Sequence, residues 1–395
     1  MIRVGFLVLV LSVCLEISAP GAADMSKSAD RVNAFGCSLV QSLETSKQPN
    51  LLISPAGIEI ALGMVYAGAS GETAEAMGQT LGLDKSSREA ALEDLATLQA
   101  TLEKAVPGVT LKVANSLWVD QSVRLNEEFS SDLAKIFKSK FESLTFSDPA
   151  TMTRINDWVS RQTEGKIGRL LEDPPIPPIF LADAVYFHAS WSSPFKKEAD
   201  REQPFHLADG STSKVKMMRQ NGSFQYAKRP GYEAVALPYV GNRFAMVCLL
   251  PDESVDTLIT KLKDSSWSEL LAALRPAQGT VALPKFKVNY GVTLNQALSN
   301  LGMGIAFDGS RAQFTRMVDT PRRLFIGSVI HKTFLEVDEE GSTAAAATGT
   351  QMRTSAILRP REDFNLVFDR PFLVAITDQE SGTILFLGII GSPKE

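Results

Sequence analysis

Apolar positions along this chain follow two periods, and the stretch where neither holds is as informative as the stretches where one does. Residues 325–337 are β-branched, aromatic and alternating, the pattern of a strand. Residues 371–376 and 383–390 predict two more strands, joined by the turn-forming run Asp378-Gln379-Glu380-Ser381-Gly382. Residues 244–250 read as a further strand and 32–40 as a helix. The run Asn50-Leu51-Leu52-Ile53-Ser54-Pro55 predicts a strand end leading into a helix, with Ser54 as N-cap and Pro55 at the first helical position. That helix continues through Ile58, Leu62 and Val65 and runs out near Gly68-Ala69-Ser70-Gly71. Helical and strand patterns alternate without the regular βαβ rhythm of a parallel sheet, which points to an α+β chain.

The pattern fails between residues 337 and 371. There Glu339-Glu340-Gly341-Ser342-Thr343-Ala344-Ala345-Ala346-Ala347-Thr348 offers almost no side chain to bury, although strongly apolar strands flank it. Connections of this length in compact domains are usually functional or disordered. Four alanines also suit a helical turn, but a turn so short is marginal on its own. The segment reads as one built to move.

Composition narrows the class. The chain has 395 residues, 44% hydrophobic and 22% charged, enough for a large core and against extensive disorder. No long Pro/Gly/Ser tract, charge block or internal repeat divides residues 30–395, so one domain over 24–395 is expected. A net charge of -5 gives no electrostatic reason to expect nucleic acid or an anionic membrane as partner. At the N-terminus, Arg3, the apolar run from Val4 to Cys14 and the small residues Gly21-Ala22-Ala23 predict a secretory signal over residues 1–23, and hence a secreted or periplasmic protein. The apolar run is shorter than the roughly 20 residues a spanning helix needs. Lipoprotein processing at Cys14 is the alternative, with Val13 a poor fit before the cysteine.

Loss of Cys14 leaves Cys37 and Cys248, which read as small buried hydrophobes, and nothing has metal-ligand spacing. Catalysis by a serine nucleophile needs a histidine within reach. Only His188, His206 and His331 are available, with no Gly-x-Ser-x-Gly elbow, phosphate loop or dinucleotide fingerprint. The expectation is a non-enzyme without metal or cofactor.

The chain resembles the serpins, a family of serine protease inhibitors, in two motifs at their usual separation. Glu339 to Thr348 matches the family's reactive-loop hinge, and Asp369-Arg370-Pro371-Phe372-Leu373 with Gly382-Thr383-Ile384-Leu385-Phe386-Leu387-Gly388 matches its closing signature. Shorter matches extend the resemblance over about residues 30 to 395: Tyr66-Ala67-Gly68-Ala69-Ser70-Gly71-Glu72-Thr73, Ala114-Asn115-Ser116-Leu117-Trp118, Leu237-Pro238-Tyr239 and Leu283-Pro284-Lys285-Phe286-Lys287. The resemblance implies an α+β serpin fold of three β-sheets and eight or nine helices, with an exposed reactive loop at about 339–363. It implies a monomeric suicide substrate whose cleaved loop enters the central sheet as an added strand and traps the acyl-enzyme. The alternative is a non-inhibitory serpin acting as a binding or carrier protein.

Strand insertion imposes a period of two. With Ser342 first inward, as the family pattern implies, Ala344, Ala346, Thr348, Thr350 and Met352 also face inward, and no charge does. In most inhibitory members the residue before the scissile bond lies fourteen positions after the hinge glycine, which gives Ser355 followed by Ala356. Those small residues suit an elastase-like or subtilisin-like protease. Thr354 and Arg353 are the alternatives, and Arg353 would attract a trypsin-like enzyme. The resemblance also assigns the sheet-opening region to Ser54, Asp183, Trp191 and His331, with Asp183 where relatives carry asparagine and His188-Ala189 where they carry Lys-Gly. An Asp183–His331 pair there is either charged and pH-sensitive or a neutral hydrogen bond. Residues 83–95 interleave acids with their bases, so no glycosaminoglycan site is expected, and Asn221-Gly222-Ser223 is a glycosylation acceptor only in a eukaryotic source.

Overall fold

Two layers of strands are built from the alternating runs, and helices cover them. In a computed structural model, residues 22–43, 49–83, 87–137, 140–264, 267–319, 323–342 and 363–394 are described. Among them are nine α-helices: α1 (Ala22–Ser42), α2 (Pro55–Tyr66), α3 (Gly71–Leu81), α4 (Arg88–Glu103), α5 (Glu127–Phe137), α6 (Pro149–Gln162), α7 (Val255–Asp264), α8 (Trp267–Ala273) and the single turn α9 (Asn295–Leu298). The strands are β1 (Asn50–Ile53), β2 (Val109–Asp120), β3 (Lys140–Leu144), β4 (Ile179–Ser190), β5 (Arg201–His206), β6 (Thr212–Arg229), β7 (Tyr232–Pro238), β8 (Phe244–Pro251), β9 (Arg275–Pro284), β10 (Phe286–Thr293), β11 (Ile326–Val337), β12 (Gly341–Ser342), β13 (Phe364–Val367), β14 (Phe372–Asp378) and β15 (Ile384–Ile390).

One sheet runs β10-β11-β4-β2-β3, with β12 on β4. The other runs β1-β15-β14-β8-β7-β6-β9-β13, with β5 on β6. The second holds two of the three expected sheets, because β6 is 18 residues long and serves both: Arg201–His206 pairs with its first six residues, β9 with Met217 to Tyr226, and β7 with its last five residues. Asn221 lies inside this long strand opposite Thr280, whose hydroxyl donates to the Asn221 side-chain oxygen at 2.6 Å.

The predicted start of α2 is found. Ser54 Oγ accepts from the Gly57 amide, Pro55 opens the helix, and Gly63 and Val65 carbonyls take the closing bonds near Ala67. All twelve residues of α2 are buried, in keeping with a helix apolar on every side. Burying side chains such as Ile58, Ile60, Leu62 and Val65 contributes roughly 1.5–3 kcal/mol each. This helix runs beneath the six-stranded sheet and fixes its middle.

β4 separates two apolar clusters by its alternation. Ile179, Leu181, Val185, Phe187 and Ala189 face the main core, while Phe180, Ala182, Ala184 and Tyr186 face a smaller cluster capped by Ile155 and Val159 of α6. β11 is parallel to β4, paired from Ile326–Ile179 to Phe334–Tyr186, and both neighbouring pairs, β10–β11 and β4–β2, are antiparallel. A parallel pair is slightly weaker per residue than an antiparallel one, so β4–β11 is the weaker seam at the centre of the sheet. Cys37 in α1 and Cys248 in β8 are buried thiols without a disulfide, as expected, and burial pushes Cys37 up to about 12.

Candidate functional site

Pairing of β11 with β4 stops at Phe334–Tyr186, and beyond it β12 takes the edge of β4: Gly341 lies opposite Ser190 and Ser342 opposite Ala189, antiparallel. Glycine is required at 341. Its φ is 152°, and a Cβ there would stand 2.1 Å from the Ala189 carbonyl oxygen. Ser342 is fully buried, and its hydroxyl shares a 2.7 Å hydrogen bond with the Tyr239 hydroxyl. Tyr239 in turn stacks on Trp191, with ring centroids 4.5 Å apart and planes 10° from parallel. Trp191 sits just past the end of β4. Its indole N–H donates to Asp338 O at 2.9 Å, and its amide to Glu340 O at 2.9 Å.

The two hinge glutamates are held by lysines. Lys285 Nζ bridges Glu339 Oε1 at 2.6 Å and Asp200 Oδ2 at 2.8 Å, and Lys197 Nζ meets Glu340 Oε1 at 3.0 Å. Burial opposes ionisation of Glu339, but the hydrogen bonds to its carboxylate, that from Lys285 foremost, together with the Lys285 charge outweigh it and hold that carboxyl below its usual range. Burial pushes Asp200 up. Asp338 closes the turn by accepting from the amides of Glu340 and Gly341. On the sheet face opposite Ala189, His188 is held below its usual value by burial, with the charge of Lys166 adding.

Midway along β4 lies a second group, wholly buried. Asp183, His331 and Asn115 share one row on β4, β11 and β2, on the face toward α2. The Ser54 amide donates to His331 Nε2 at 3.0 Å, and His331 Nδ1 lies 2.7 Å from Asp183 Oδ2. Since Nε2 accepts, the ring proton is on Nδ1 and the imidazole is uncharged, so of the two readings of this pair the neutral hydrogen bond is the one found. Asn115 Nδ2 donates to Gly57 O at 3.1 Å. Gly57 has to be glycine, because a Cβ would stand 2.8 Å from Asp183 Oδ1. Burial pushes the Asp183 carboxyl above the ordinary aspartate value, against the opposing pull of His331.

Ser54, Asp183 and His331 thus lie together, whereas Trp191 lies at the hinge end. Residues Thr343 to Thr348, Arg353, Thr354, Ser355 and Ala356 lie outside the described residues. Sequence reasoning did not assign roles to Asn115, Gly57, Asp200, Tyr239 or Lys285. Asn115, Tyr239 and Lys285 stand inside segments that matched the family, and that was the only signal available.

Comparison with known proteins decides the family: residues 30–393 match the sequence profile described as Serpin (serine protease inhibitor). The chain belongs to the serpin family. It is 34% identical to the leukocyte elastase inhibitor of Homo sapiens, over 89% of this chain and 95% of that one. Among solved structures, the thermophilic serpin tengpin in its native state superposes with a TM-score of 0.85 at 29% identity, covering 95% of each chain. Human thyroxine-binding globulin, complexed with thyroxine, superposes at 0.83 with 22% identity, covering 94% of this chain and all of that one, a likeness of fold alone. Serpins are mostly inhibitors rather than catalysts. Among the described residues, no group of three or more His, Cys, Asp or Glu could hold a metal, and no helix of this serpin is long and apolar enough to cross a membrane.

Proposed function

We propose that this serpin is a secreted, monomeric suicide substrate for a serine protease, with residues 1–23 as signal and 24–395 as one domain. A protease attacks the loop and forms an acyl-enzyme, whose hydrolysis needs its oxyanion hole and base to stay aligned. Entry of the cleaved loop between β4 and β11 drags the protease along and breaks that alignment. The observation that carries this reading is β12, whose two residues already occupy the position of an added strand on β4. Continued in the same register, Ala344 would stand opposite Phe187, Ala346 opposite Val185, Thr348 opposite Asp183, Thr350 opposite Leu181 and Met352 opposite Ile179. Every one of these β4 partners lies on the face toward the main core and α2, so in that register the inward set would be small or uncharged throughout. A charge in that set would have to be buried unpaired, at a cost of several kcal/mol.

The target is an elastase-like protease cutting between Ser355 and Ala356, in line with the similarity to an elastase inhibitor. Subtilisin-like enzymes share the preference for small residues, and cleavage after Arg353 or Thr354 is the alternative. Mixing the protein with elastase-, subtilisin-, trypsin- and chymotrypsin-like proteases should give an SDS-resistant complex with an elastase-like member, and a released peptide beginning at Ala356. A second reading, a carrier serpin, draws on the likeness to thyroxine-binding globulin and on a groove of about 750 Å³ with Leu51, Val255, Pro371 and Ile389 on its walls. Loop cleavage without complex across the whole panel would select it.

A further inference from the structure

The buried row beneath the seam is a chain of hydrogen bonds that begins and ends on the first turn of α2. It leaves α2 at the Ser54 amide, crosses β11 through the two nitrogens of His331, reaches Asp183 Oδ2 on β4, and returns from Asn115 Nδ2 on β2 to the Gly57 carbonyl. One link is missing. Asp183 Oδ1 and Asn115 Oδ1 are both buried oxygens without a partner, on residues directly opposite each other across β4 and β2. The amide of Asn115 cannot be turned to supply a donor, because its oxygen would then face the Gly57 carbonyl oxygen. Nor can the histidine, whose single ring proton is committed to Asp183 Oδ2 while Nε2 accepts from Ser54.

We propose that Asp183 holds a proton on Oδ1 while the sheet is closed and donates it to Asn115 Oδ1, so that parting β4 from β11 releases a proton to solvent. With that proton each donor and acceptor in the circuit is matched, as buried polar groups generally are. Without it, two buried acceptors on cross-strand neighbours stay unpartnered and an ionised carboxylate is buried against an uncharged imidazole. The groups packed against Asp183 are few: β11 presents His331, β2 presents Asn115, and α2 presents Gly57 and the Ser54 amide. The buried carboxyl of α2, Glu59, is engaged with Arg31 of α1. Asparagine at 183 would supply a permanent N–H to Asn115 and a carbonyl to His331. Aspartate makes the same circuit conditional on pH.

The sign follows from burial, which raises this carboxyl from its ordinary value of 3.8. The stabilisation of the closed sheet is fully present below that ordinary value and is lost as pH rises to the raised folded value. Per pH unit in that window, opening becomes tenfold easier. The test needs no protease, so its failure is separable from failure of the inhibitory reading. Isotope-edited infrared spectra of the full chain with carboxyl-labelled aspartate should show a protonated, hydrogen-bonded carboxyl at neutral pH that is missing in Asp183→Asn. Should that variant not fold, Asn115→Leu removes the acceptor and must shift the same band. In urea unfolding, the equilibrium constants of parent and Asp183→Asn should diverge by about tenfold per pH unit above pH 4 and then run parallel. A carboxylate signal alone at neutral pH, or curves parallel throughout, would overturn the proposal.

Discussion

The seam between β4 and β11 is closed by different chemistry at its hinge end and at its middle. At the hinge end a two-residue strand lies on β4, fastened by Lys285 to Glu339, by the more exposed Lys197–Glu340 contact and by one hydroxyl pair, Ser342–Tyr239. Lys197 is 64% exposed, so salt screens its pair strongly and it contributes little. At the middle nothing is exposed, and the bonds run among an imidazole, a carboxyl and an amide. One end can be undone by small steps in solvent. The other opens only by wetting a dry polar circuit, which makes it the steeper barrier and the one that responds to pH rather than to salt.

The comparison breaks most visibly through Ser342→Arg. Ser342 is fully buried with its hydroxyl on Tyr239, and a guanidinium there would be an unpaired buried charge, costing several kcal/mol. β12 should leave β4, and the yield of SDS-resistant complex should fall at least tenfold while the remaining protein unfolds at the parental urea midpoint. Parental complex yield in this variant would separate the hinge strand from inhibition and leave the register argued above without support.

A smaller effect is expected behind the middle of the seam, at Glu59. This residue is fully buried on α2, against the Arg31 guanidinium that also holds Asp94 at 2.6 Å. Burial pushes its carboxyl up from 4.5 to about 7, outweighing the pull of Arg31. The folded chain therefore keeps a proton there that the unfolded chain has lost, so this contribution is fully present below pH 4.5 and disappears as pH rises through about 7. At about 1.4 kcal/mol per unit, the loss reaches about 3 kcal/mol by pH 8. Glu59→Gln should flatten that slope in urea unfolding between pH 5 and 8 and be the more stable protein at pH 8. Parallel profiles would mean that the pair with Arg31 stays ionised in the core, and the middle would lose one of its two pH-sensitive groups.

How much of this was legible in the sequence depended on whether a role was local. The Ser54-Pro55 start of α2 and the strands β11, β14 and β15 follow from neighbours in sequence, and the structure has them within a residue or two, while the hinge from Thr343 onward lies outside the described residues. The meeting of Ser54, Asp183 and His331 came from family resemblance, since 277 positions separate Ser54 from His331. Asn115 and Gly57 were out of reach for a different reason. An asparagine in a strand and a glycine in a helix are unremarkable until the register places one opposite Asp183 and the other against its carboxyl. Tyr239 lay in a recognised segment, yet its bond to the hinge is a single hydroxyl contact made 103 residues away, and no pattern records that.

Tyr239→Phe isolates that contact and gives the smallest effect. Phenylalanine keeps the ring stacked on Trp191 and removes only the bond to Ser342 Oγ, worth about 1 kcal/mol or roughly a fivefold change in an equilibrium. Amide exchange at Gly341 and Ser342 should accelerate by about that factor, and the fluorescence of Trp191, whose indole donates to Asp338 O, should report the looser hinge. Amides near Asp183 and His331 should keep their parental rates. They lie six residues along β4 from Ala189, roughly 20 Å at strand rise, and are held by bonds that Tyr239 does not touch. If instead they accelerate in step with Ser342, hinge and middle open as one cooperative unit, and the distinction between a solvent-released end and a proton-held middle fails.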